Sequence, residues 1–325
     1  MQLSPDERYY LKLKAAYLYY KEDKTQSEIA KLFHISRPTL IKLINEAKEE
    51  GIITFEIHDT RMGSHHIELE QRIRKKLDLK DVKILSVGSK SQEAINSSVG
   101  SAAANYFLNI LESDMTVGIG WGNTLQTMTN YLHPDANIKN LEILPLLGAL
   151  HTTTSGQSYS PASTLCERVA SNFANSTSSM LLAPLIPQDE EISNTLRNSN
   201  DLQALFEKMK HMDIAIIGID GDPEHSTTIR KERELQNVSE ELIASGSVGN
   251  VCSHFYDANG NFPSLSINGK MITVPIEDLQ RTPFVIGAAG GEFKAPSIIG
   301  AARAKLFNVL ITDEFTAKRV ASIKI

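Results

Sequence analysis

The chain has 325 residues, of which 41% are hydrophobic and 22% are charged, and its formal net charge is −6. This length predicts about two domains, and the hydrophobic fraction predicts an ordinary soluble chain with a substantial core. The acidic balance excludes a protein that binds nucleic acid through a bulk excess of positive charge.

Membrane and secretory classes are also disfavoured. No apolar run approaches the roughly 18–20 residues of a membrane span, and the first residues, MQLSPDERYY, lack the organisation of a signal peptide. We therefore expect a cytoplasmic protein with no membrane partner. Cys166 and Cys252 have neither metal-ligand spacing nor the pattern of a disulfide framework, so both are expected to be small buried residues. No metal and no cofactor is expected.

The first predicted element is an amphipathic helix over Pro5 to Lys21. The next segment, Thr25 to Glu50, has the spacing of a helix-turn-helix, because apolar or small residues fall where two short helices must touch. Ala30 is the most informative of them, since a larger side chain there would hold the helices apart. The segment predicts a unit that reads DNA, and the alternative is a helical hairpin without a nucleic acid partner.

Local capping signals set the limits of the two short helices. Thr25 and Glu28 fit a capping box, so the first helix should begin directly after Thr25. Ser36 is a favourable N-cap for the second helix, and Pro38 falls in its first turn, where a missing N–H costs nothing. His34 occupies the turn, and histidine tolerates positive φ better than most non-glycine residues.

The second helix should present one face to DNA. Leu40, Leu43, Ile44 and Ala47 are expected to point inward. The candidate DNA-contacting residues are Ser36, Arg37, Thr39, Lys42 and Asn45. Arg37 or Lys42 suits the acceptors of guanine, and Asn45 suits adenine. Ile41, on the same face, suits a thymine methyl group.

The domain limits follow from changes in pattern. Ile52 to His58 alternates as a strand pair and predicts a wing, so the DNA-binding domain is placed at residues 1–60. Residues 61–80 form a linker whose helix, His65 to Leu79, carries an apolar stripe. That stripe could pair with a second subunit or lie on the larger domain, which is placed at residues 81–325.

The positive charges of the DNA-binding domain are local and few. The basic residues on or beside the two helices are Lys24, Lys31, Arg37, Lys42 and Lys48. They supply a few phosphate contacts per half-site, which is too little for tight monomeric binding. Specific affinity is therefore expected to come from paired subunits on a two-fold operator.

After Asp81 the pattern changes to strands alternating with helices. The expected strands are Val82 to Val87, Met115 to Ile119, Leu141 to Leu147, Ser179 to Ala183, Ile214 to Ile219, Pro283 to Gly287 and Val309 to Thr312. The expected helices are Asn96 to Leu111, Leu125 to Leu132, Ser163 to Asn175, Leu202 to Met212 and Ser297 to Phe307. This alternation predicts an α/β fold with a Rossmann-like, mostly parallel sheet. Ligands of such sheets bind outside the carboxyl ends of the strands.

Two of these strand ends carry glycines and then open a helix. Thr116 to Leu125 reads TVGIGWGNTL, and Ile286 to Pro296 reads IGAAGGEFKAP, in which Lys294 adds a positive charge. Glycines let backbone N–H groups approach an anion, and a helix start adds a positive dipole, so both corners favour a phosphorylated small molecule. The alternatives are tight packing turns for the glycines and a solvated surface position for Lys294.

Four segments resemble, in order, the signature segments of the SorC family of bacterial sugar-responsive transcription regulators. They are AYLYYKEDKTQSEIAKLFHISRPTLIKLINEAKEEGII, GIGWGNTL, VGNVCSHFYDANG and AAGGEFKAPSIIGAARAKLFNVLITDEFTA. The resemblance spans nearly the whole chain. It implies an N-terminal winged helix-turn-helix and an effector-binding and oligomerisation domain at residues 81–325. That domain would be related to sugar-phosphate isomerases of the glucosamine-6-phosphate deaminase and ribose-5-phosphate isomerase type. It also implies a homotetramer with a phosphorylated sugar as effector.

The resemblance also implies a set of effector-binding residues. They are Gly122, Asn123, Thr124, Gly148, Asn250, Gly291 and Lys294. Asn250 stands where the family often has aspartate, and asparagine donates as well as accepts, so the preferred sugar can differ. Asp257 is expected in a tight turn, and Asp313 is expected to cap the last helix.

These observations predict a regulator of a carbohydrate-utilisation operon, whose binding to double-stranded operator DNA is modulated by a phosphorylated sugar or polyol. The rival class is an isomerase- or deaminase-type enzyme with an appended DNA-binding arm. Such chemistry needs a carboxylate base over the sugar, and Glu292 is the only acid in either glycine loop, so no catalytic residue is expected. A constitutive architectural DNA-binding protein would leave the large second domain without a role.

Overall fold

The computed structural model describes residues 5–54, 66–133, 137–150 and 162–324. The chain divides into two compact units, Met1–Arg61 and Met62–Ile325. Each unit has its own hydrophobic core.

The first unit is built from three helices. They are α1 (Pro5–Tyr20), α2 (Gln26–Leu32) and α3 (Arg37–Glu49). Their shared core consists of Ala15, Leu18, Ile29, Ala30, Leu40 and Ile44. Ala30 is 5% exposed and lies at the contact between the helices, as its spacing predicts. Lys12 on α1 is buried and forms ion pairs with Glu46 of α3 and with Glu50, the C-cap of α3, and these pairs join the two helices.

The predicted caps of the helix-turn-helix are confirmed. Thr25 accepts the backbone N–H of Glu28 at 3.3 Å, and the Glu28 carboxylate accepts the Thr25 N–H at 2.8 Å. Ser36 accepts the backbone N–H of Thr39 at 3.2 Å. His34 adopts φ 52°, the positive value that its turn position suggested.

The predicted wing lies mostly outside the described residues. Gly51, with φ 73°, follows the end of α3. Ile52 and Ile53 lie in a bend rather than a strand, and the Ile52 amide donates to the carbonyl of Ala47 at 2.9 Å. Residues 55–58 of the predicted strand pair are not among the described ones.

The second unit contains a seven-stranded sheet within the described residues. The strands are β1 (Asp81–Leu85), β2 (Thr116–Ile119), β3 (Glu142–Pro145), β4 (Thr177–Ser178), β5 (Ile214–Gly218), β8 (Phe284–Ala288) and β9 (Val309–Asp313). Their order is β1-β9-β8-β5-β2-β3-β4, and every neighbouring pair is parallel. A separate antiparallel hairpin is formed by β6 (Ser247–Val251) and β7 (His254–Asp257).

Helices cover both faces of this sheet. They are α4 (Ile67–Leu77), α5 (Gln92–Ile110), α6 (Asn123–Thr129), α7 (Ala162–Ala170), α8 (Glu190–Arg197), α9 (Asn200–Met209), α10 (Thr227–Lys231), α11 (Arg233–Asn237), α12 (Ser239–Ala244), α13 (Ile276–Arg281), α14 (Ala295–Arg303) and α15 (Glu314–Ser322). In β5, Ala215 and Ile217 face one core while Ile214 and Ile216 face the other. Burial on both faces explains why the strand reads as a continuous apolar run. The predicted α/β fold is confirmed.

The apolar stripe of α4 lies on the larger unit. Ile73 is fully buried there and Leu77 is 7% exposed. The ammonium of Lys76 donates to the carbonyls of Val320 at 2.9 Å and Ala321 at 3.1 Å, at the end of α15. These contacts satisfy carbonyl groups that the end of a helix leaves without partners.

The strand predicted over Ser179 to Ala183 is wrong. The edge strand β4 stops at Ser178, and the chain then leaves the sheet. Ser179 still donates its N–H to the carbonyl of Ile143 on β3 at 2.9 Å, but Leu181 donates to the Ser163 hydroxyl of α7 at 3.1 Å. Ala183 accepts the N–H of Ala149 at 2.9 Å, so the segment does not continue the pairing of β4 with β3. Alternating exposure along the segment imitates the pattern of a strand.

Candidate functional site

A cavity of about 250 Å³ opens at the carboxyl ends of β2, β5 and β8. Its lining contains Gln92, Asn96, Trp121, Gly122, Asn123, Thr124, Leu125, Gly218, Ile219, Asp220, His225, Thr227, Thr228, Arg230, Asn250, Cys252, Ala288, Phe293 and Lys294. Five of the seven residues predicted to bind an effector lie in it. They are Gly122, Asn123, Thr124, Asn250 and Lys294. The position agrees with the rule that parallel sheets bind ligands at the carboxyl edge.

The first glycine corner forms one wall. Gly122 has φ 134°, a conformation that favours glycine, and it directly precedes α6. No side chain caps this helix, so the N–H groups of its first turn have no capping partner. The Thr124 hydroxyl donates to Asn96 Oδ1 at 3.2 Å, and Gln92 Nε2 donates to the same oxygen at 2.9 Å. The corner therefore combines backbone donors with a fixed polar network on α5.

The second corner places Lys294 in the cavity. Its ammonium donates to the carbonyl of Ile219 at 3.0 Å, and its side chain is partly buried. Burial lowers the pKa of Lys294, and the nearby Asp220 carboxylate opposes that shift. Lys294 is thus a partly buried cation held by the end of β5 rather than a solvated surface lysine.

Gly291 lies behind this corner and does not line the cavity. It has φ 113°, and its N–H donates to Asp313 Oδ2 at 3.1 Å and to the Thr316 hydroxyl at 2.7 Å. Asp313 also caps α15, as predicted, by accepting the N–H groups of Phe315 and Thr316. Through these two hydrogen bonds, Gly291 fixes the loop that precedes Lys294 to the start of α15.

Gly148 is also absent from the lining. A side chain there would approach the backbone oxygen of Ala183 to 2.7 Å and the backbone nitrogen of Leu185 to 2.8 Å. Its own N–H donates to the carbonyl of Ile272 at 2.9 Å. The close approach of two backbone segments accounts for glycine at this position.

Asp220 is a site residue that the sequence analysis missed. Its carboxylate accepts the Ser226 hydroxyl at 2.6 Å and the backbone N–H groups of Gly221 at 2.9 Å, Thr228 at 3.0 Å and Thr227 at 3.3 Å. Burial alone raises the pKa of Asp220, but the Lys294 ammonium and these donors outweigh it, so the pKa lies below its usual value. Asp220 stays ionised and organises the loop that closes the cavity.

Asp220 lies two residues after the end of the parallel strand β5, and the glycine corners were also predicted from strand ends. Further missed lining residues are Gln92, Asn96, Trp121, His225 and Arg230. No local motif predicts that Arg230 lines the cavity. It lies on α10, which is only five residues long and gives no helical periodicity to recognise. His225 lies with its ring nitrogen 3.0 Å from Asp222, at the rim of the loop.

Asn250 reaches the cavity from β6. It is 3% exposed, and its backbone carbonyl accepts the N–H of Asp220 at 3.0 Å. Its side-chain Nδ2 is buried and has no hydrogen-bond partner among the described residues. A buried amide donor without a partner is costly, so the side chain of Asn250 is a polar group that the fold leaves unsatisfied beside the cavity.

The candidate DNA-contacting face lies on the first unit. Leu40, Leu43, Ile44 and Ala47 are buried on the inner side of α3, as predicted. Ser36, Arg37, Thr39, Lys42 and Asn45 are all exposed on the outer side. Arg37 Nε donates to the Gln26 side-chain oxygen at 3.1 Å, which holds the guanidinium at the start of the helix. The helix therefore presents basic and amide groups from one face.

Other candidate chemistry lies elsewhere. Cys166 and Cys252 are both buried, as predicted; burial raises the pKa of Cys252 to about 12 and raises that of Cys166 as well. In the described ranges, one group of acids and histidine could converge on a metal ion: Asp222, Glu224 and His225. Glu224 and His225 are exposed. Among the helices described, none is long and apolar enough to span a membrane.

Comparisons with known proteins agree over nearly the whole chain. The deoxyribonucleoside regulator of Bacillus subtilis is 27% identical over 319 residues, covering 97% of this chain and 98% of the relative. The sorbitol operon regulator of Klebsiella pneumoniae is 27% identical over 324 residues, covering 98% and 99%. The crystal structure of the full-length sorbitol operon regulator SorC from K. pneumoniae superposes with a TM-score of 0.72 at 25% identity, covering 98% of this chain and all of that one.

The family assignment follows from the larger unit. Residues 63–322 match the family described as "Putative sugar-binding domain". The match includes both glycine corners, the Asp220 loop and Asn250, which together build the cavity. The chain belongs to this sugar-binding domain family and, with its N-terminal helix-turn-helix, to the SorC-type transcriptional regulators.

Proposed function

We propose that this regulator controls a carbohydrate-utilisation operon and that a phosphorylated sugar or polyol, bound in the cavity, modulates its affinity for operator DNA. The observation that carries the proposal is that the partly buried Lys294, the first turn of α6 and Arg230 line one cavity. Backbone N–H groups and cations together favour a phosphate. The relatives' names, sorbitol operon regulator and deoxyribonucleoside regulator, support a carbohydrate ligand.

The charges of the lining support an anionic ligand. Lys294 and Arg230 are cations, and Asp220 is the one carboxylate among the described residues that line the cavity. The Asp220 carboxylate already accepts four hydrogen bonds from its own loop. Its negative charge is therefore partly satisfied within the protein, and two cations against one carboxylate leave the lining with a net positive charge.

The same observation weighs against the enzyme alternative. A general base for sugar isomerisation needs a carboxylate whose pKa is raised toward neutrality and whose oxygen can reach the substrate. Asp220 has a lowered pKa and four donors on its oxygens. We therefore infer a binding site without catalytic residues. Incubation with phosphorylated sugars should give no turnover.

We further propose that the protein acts in the cytoplasm as a homotetramer. The exposed face of α3 carries few basic residues, so paired units on a two-fold operator would supply specific affinity. Sedimentation of the full chain tests this assembly. A monomer that binds its operator tightly would exclude the proposal.

A thermal-shift screen tests the ligand class. A ligand that binds only the folded state stabilises it by mass action, by about 2.7 kcal/mol at a hundredfold excess over Kd. Phosphorylated sugars should raise the midpoint of unfolding, while the same sugars without phosphate should not. Operator binding is then measured with and without the stabilising compound. Equal stabilisation by both members of a sugar pair would contradict the phosphate site.

A further inference from the structure

A second cavity of about 300 Å³ lies beside the β6–β7 hairpin, and among the described residues it shares no lining side chain with the first cavity. Its walls come from the end of α8, from β7 and from the segment 262–277. The apolar side chains in these walls include those of Phe255, Phe262, Met271, Val274 and Ile276. Small-molecule sites begin at about this size and are mostly apolar, with a few polar groups that orient the ligand.

The rest of the fold holds one wall of this cavity in place. The Val274 N–H donates to the carbonyl of Leu146, just beyond the end of β3, at 2.7 Å. The Thr273 hydroxyl donates to the carbonyl of Cys252, in the turn of the hairpin, at 2.7 Å. A ligand would therefore not have to order this wall on binding, which favours affinity.

Arg197, at the end of α8, brings a half-buried guanidinium to the lining. Its Nη2 donates to the carbonyl of Met271, and its Cζ lies 5.9 Å from the centre of the Phe206 ring. Within the described ranges Arg197 forms no ion pair, and its Nε and Nη1 have no hydrogen-bond acceptor. Burial lowers the pKa of Arg197, although a guanidinium stays charged in proteins. An anion that accepts the remaining N–H groups would stabilise this partly desolvated cation.

The other titratable groups of the lining leave Arg197 as its single cation. Nε2 of His254 donates to the carbonyl of Val274 at 2.8 Å, and burial lowers the pKa of His254, so the ring is neutral at pH 7. Glu277 is the one carboxylate among the described residues of the lining, and it is exposed to water, which screens its charge. One cation in apolar walls favours a singly charged anion with an apolar body.

We propose that this cavity is a second ligand site, which takes a small monocarboxylate with an apolar body. The carboxylate accepts hydrogen bonds from the free N–H groups of Arg197, while the apolar part lies against Phe255, Phe262 and Met271. Because the two cavities have separate linings, this site does not depend on the proposed phosphorylated ligand, and one chain can hold both.

Three probes of similar shape test the charge preference. Phenylacetate carries the carboxylate, phenylacetamide is its uncharged counterpart, and phenethylamine carries a cation instead. Ligand-observed NMR titrations of the full chain should show that phenylacetate binds at least about tenfold more tightly than the other two, as expected for charge-assisted hydrogen bonds. Ribose 5-phosphate should not displace phenylacetate, because it is expected in the first cavity.

Variants assign the preference to this cavity. Arg197→Met keeps the apolar stem but removes the charge, and it should weaken phenylacetate binding at least about tenfold, to the level of phenylacetamide. Arg168→Met is the matched control, because Arg168 is an exposed arginine of α7 that lines neither cavity. Phe262→Ala supplies a second test that leaves the bond from Arg197 to Met271 intact. Phe262 is 39% exposed, so its loss should spare the fold and weaken phenylacetate binding at least about threefold.

Several results would overturn the second site. They are no binding of phenylacetate at millimolar concentrations, equal binding of phenylacetamide, or tighter binding of phenethylamine. Displacement by ribose 5-phosphate, or affinity that neither Arg197→Met nor Phe262→Ala changes, would place phenylacetate elsewhere. If Arg197→Met changes the sedimentation of the full chain, a carboxylate of a second copy is the partner of Arg197, and the free-ligand site is wrong.

Discussion

The Ser226 hydroxyl donates a 2.6 Å hydrogen bond to the Asp220 carboxylate, across the loop that joins β5 to α10. Ser226 is fully buried and also caps α10 by accepting the N–H of Ile229 at 3.1 Å. One carboxylate therefore fixes both the end of the central strand and the start of the short helix that carries Arg230. The cavity wall depends on this pair rather than on a long element.

Replacing Asp220 with asparagine should destabilise the protein. The amide would place N–H groups against at least one of the donors that the carboxylate now accepts, and hydrogen bonds to charged groups contribute about 1.5–3 kcal/mol each. We expect the free energy of unfolding to fall by about 2–3 kcal/mol in urea titrations. Glu224→Gln, an exposed acid on the same loop, is the control and should change it by less than about 0.5 kcal/mol. Equal effects of the two variants would contradict this role for Asp220.

The contribution of Asp220 to the stability of the folded protein should be lost only at acidic pH. Because the folded pKa of Asp220 lies below its usual value, the unfolded chain takes up the proton first as pH falls. The stabilisation is therefore fully present above the unfolded pKa of about 3.9 and is lost as pH falls through the lower folded pKa. Unfolding of wild type and Asp220→Asn at pH 3–7 measures this. A gap between them that changes around neutral pH would be inconsistent with the assignment.

Gly148→Ala should destabilise the fold without reducing the affinity for the ligand. The added methyl group would lie 2.7 Å from the Ala183 oxygen and 2.8 Å from the Leu185 nitrogen, and overpacking of this kind costs about 1–3 kcal/mol. Gly88→Ala is a matched control, because nothing lies within 4 Å of its added carbon. Thermal unfolding gives the cost, and calorimetry gives the affinity of the folded protein. A large loss of ligand affinity at unchanged stability would return Gly148 to the binding site.

The features that depend on local sequence signals were predicted correctly. The caps at Thr25 and Ser36 join residues three apart, and the glycine corners lie at strand ends, so each is visible within a few residues. The hairpin β6–β7 was missed because its turn residues, Cys252 and Ser253, have φ 47° and 65° without being the Asn and Gly that usually mark such turns.

Non-local chemistry was harder to predict. Asp220 follows a strand end that the sequence did identify, but its backbone partner Asn250 lies thirty positions later, on that unpredicted hairpin. The packing role of Gly148 depends on Ala183 and Leu185, which approach it only in the folded chain. Periodicity and motif spacing do not predict contacts between residues far apart in the chain. The sheet was therefore predictable from the sequence, while part of its site was not.

Arg37→Ala or Lys42→Ala should weaken operator binding without unfolding the first unit. Both side chains are exposed on the face of α3 opposite its buried Leu40. A lost base or phosphate contact should cost about 1–3 kcal/mol per half-site. Fluorescence anisotropy with operator DNA measures the loss, and Lys318→Ala, an exposed lysine of the larger unit, is the control. If neither variant changes operator affinity, α3 contacts DNA through another face or not at all.

Lys294→Ala should reduce the affinity for a phosphorylated sugar far more than Thr124→Ala does. The Lys294 ammonium gives one donor to Ile219 and has two further donors for the ligand, and a charge-assisted hydrogen bond contributes about 1.5–3 kcal/mol. The Thr124 hydroxyl already donates to Asn96, so its loss should cost only about 0.5–1.5 kcal/mol. Operator affinity without ligand should stay near wild type in both variants.

Because a ligand shifts an equilibrium only by its differential affinity for two states, Lys294→Ala should also reduce the effect of the sugar on operator binding. Calorimetry with the phosphorylated sugar and its unphosphorylated form decides the matter. Unchanged affinity of Lys294→Ala for the phosphorylated form would mean that the corner does not bind phosphate and that its glycines serve backbone packing alone.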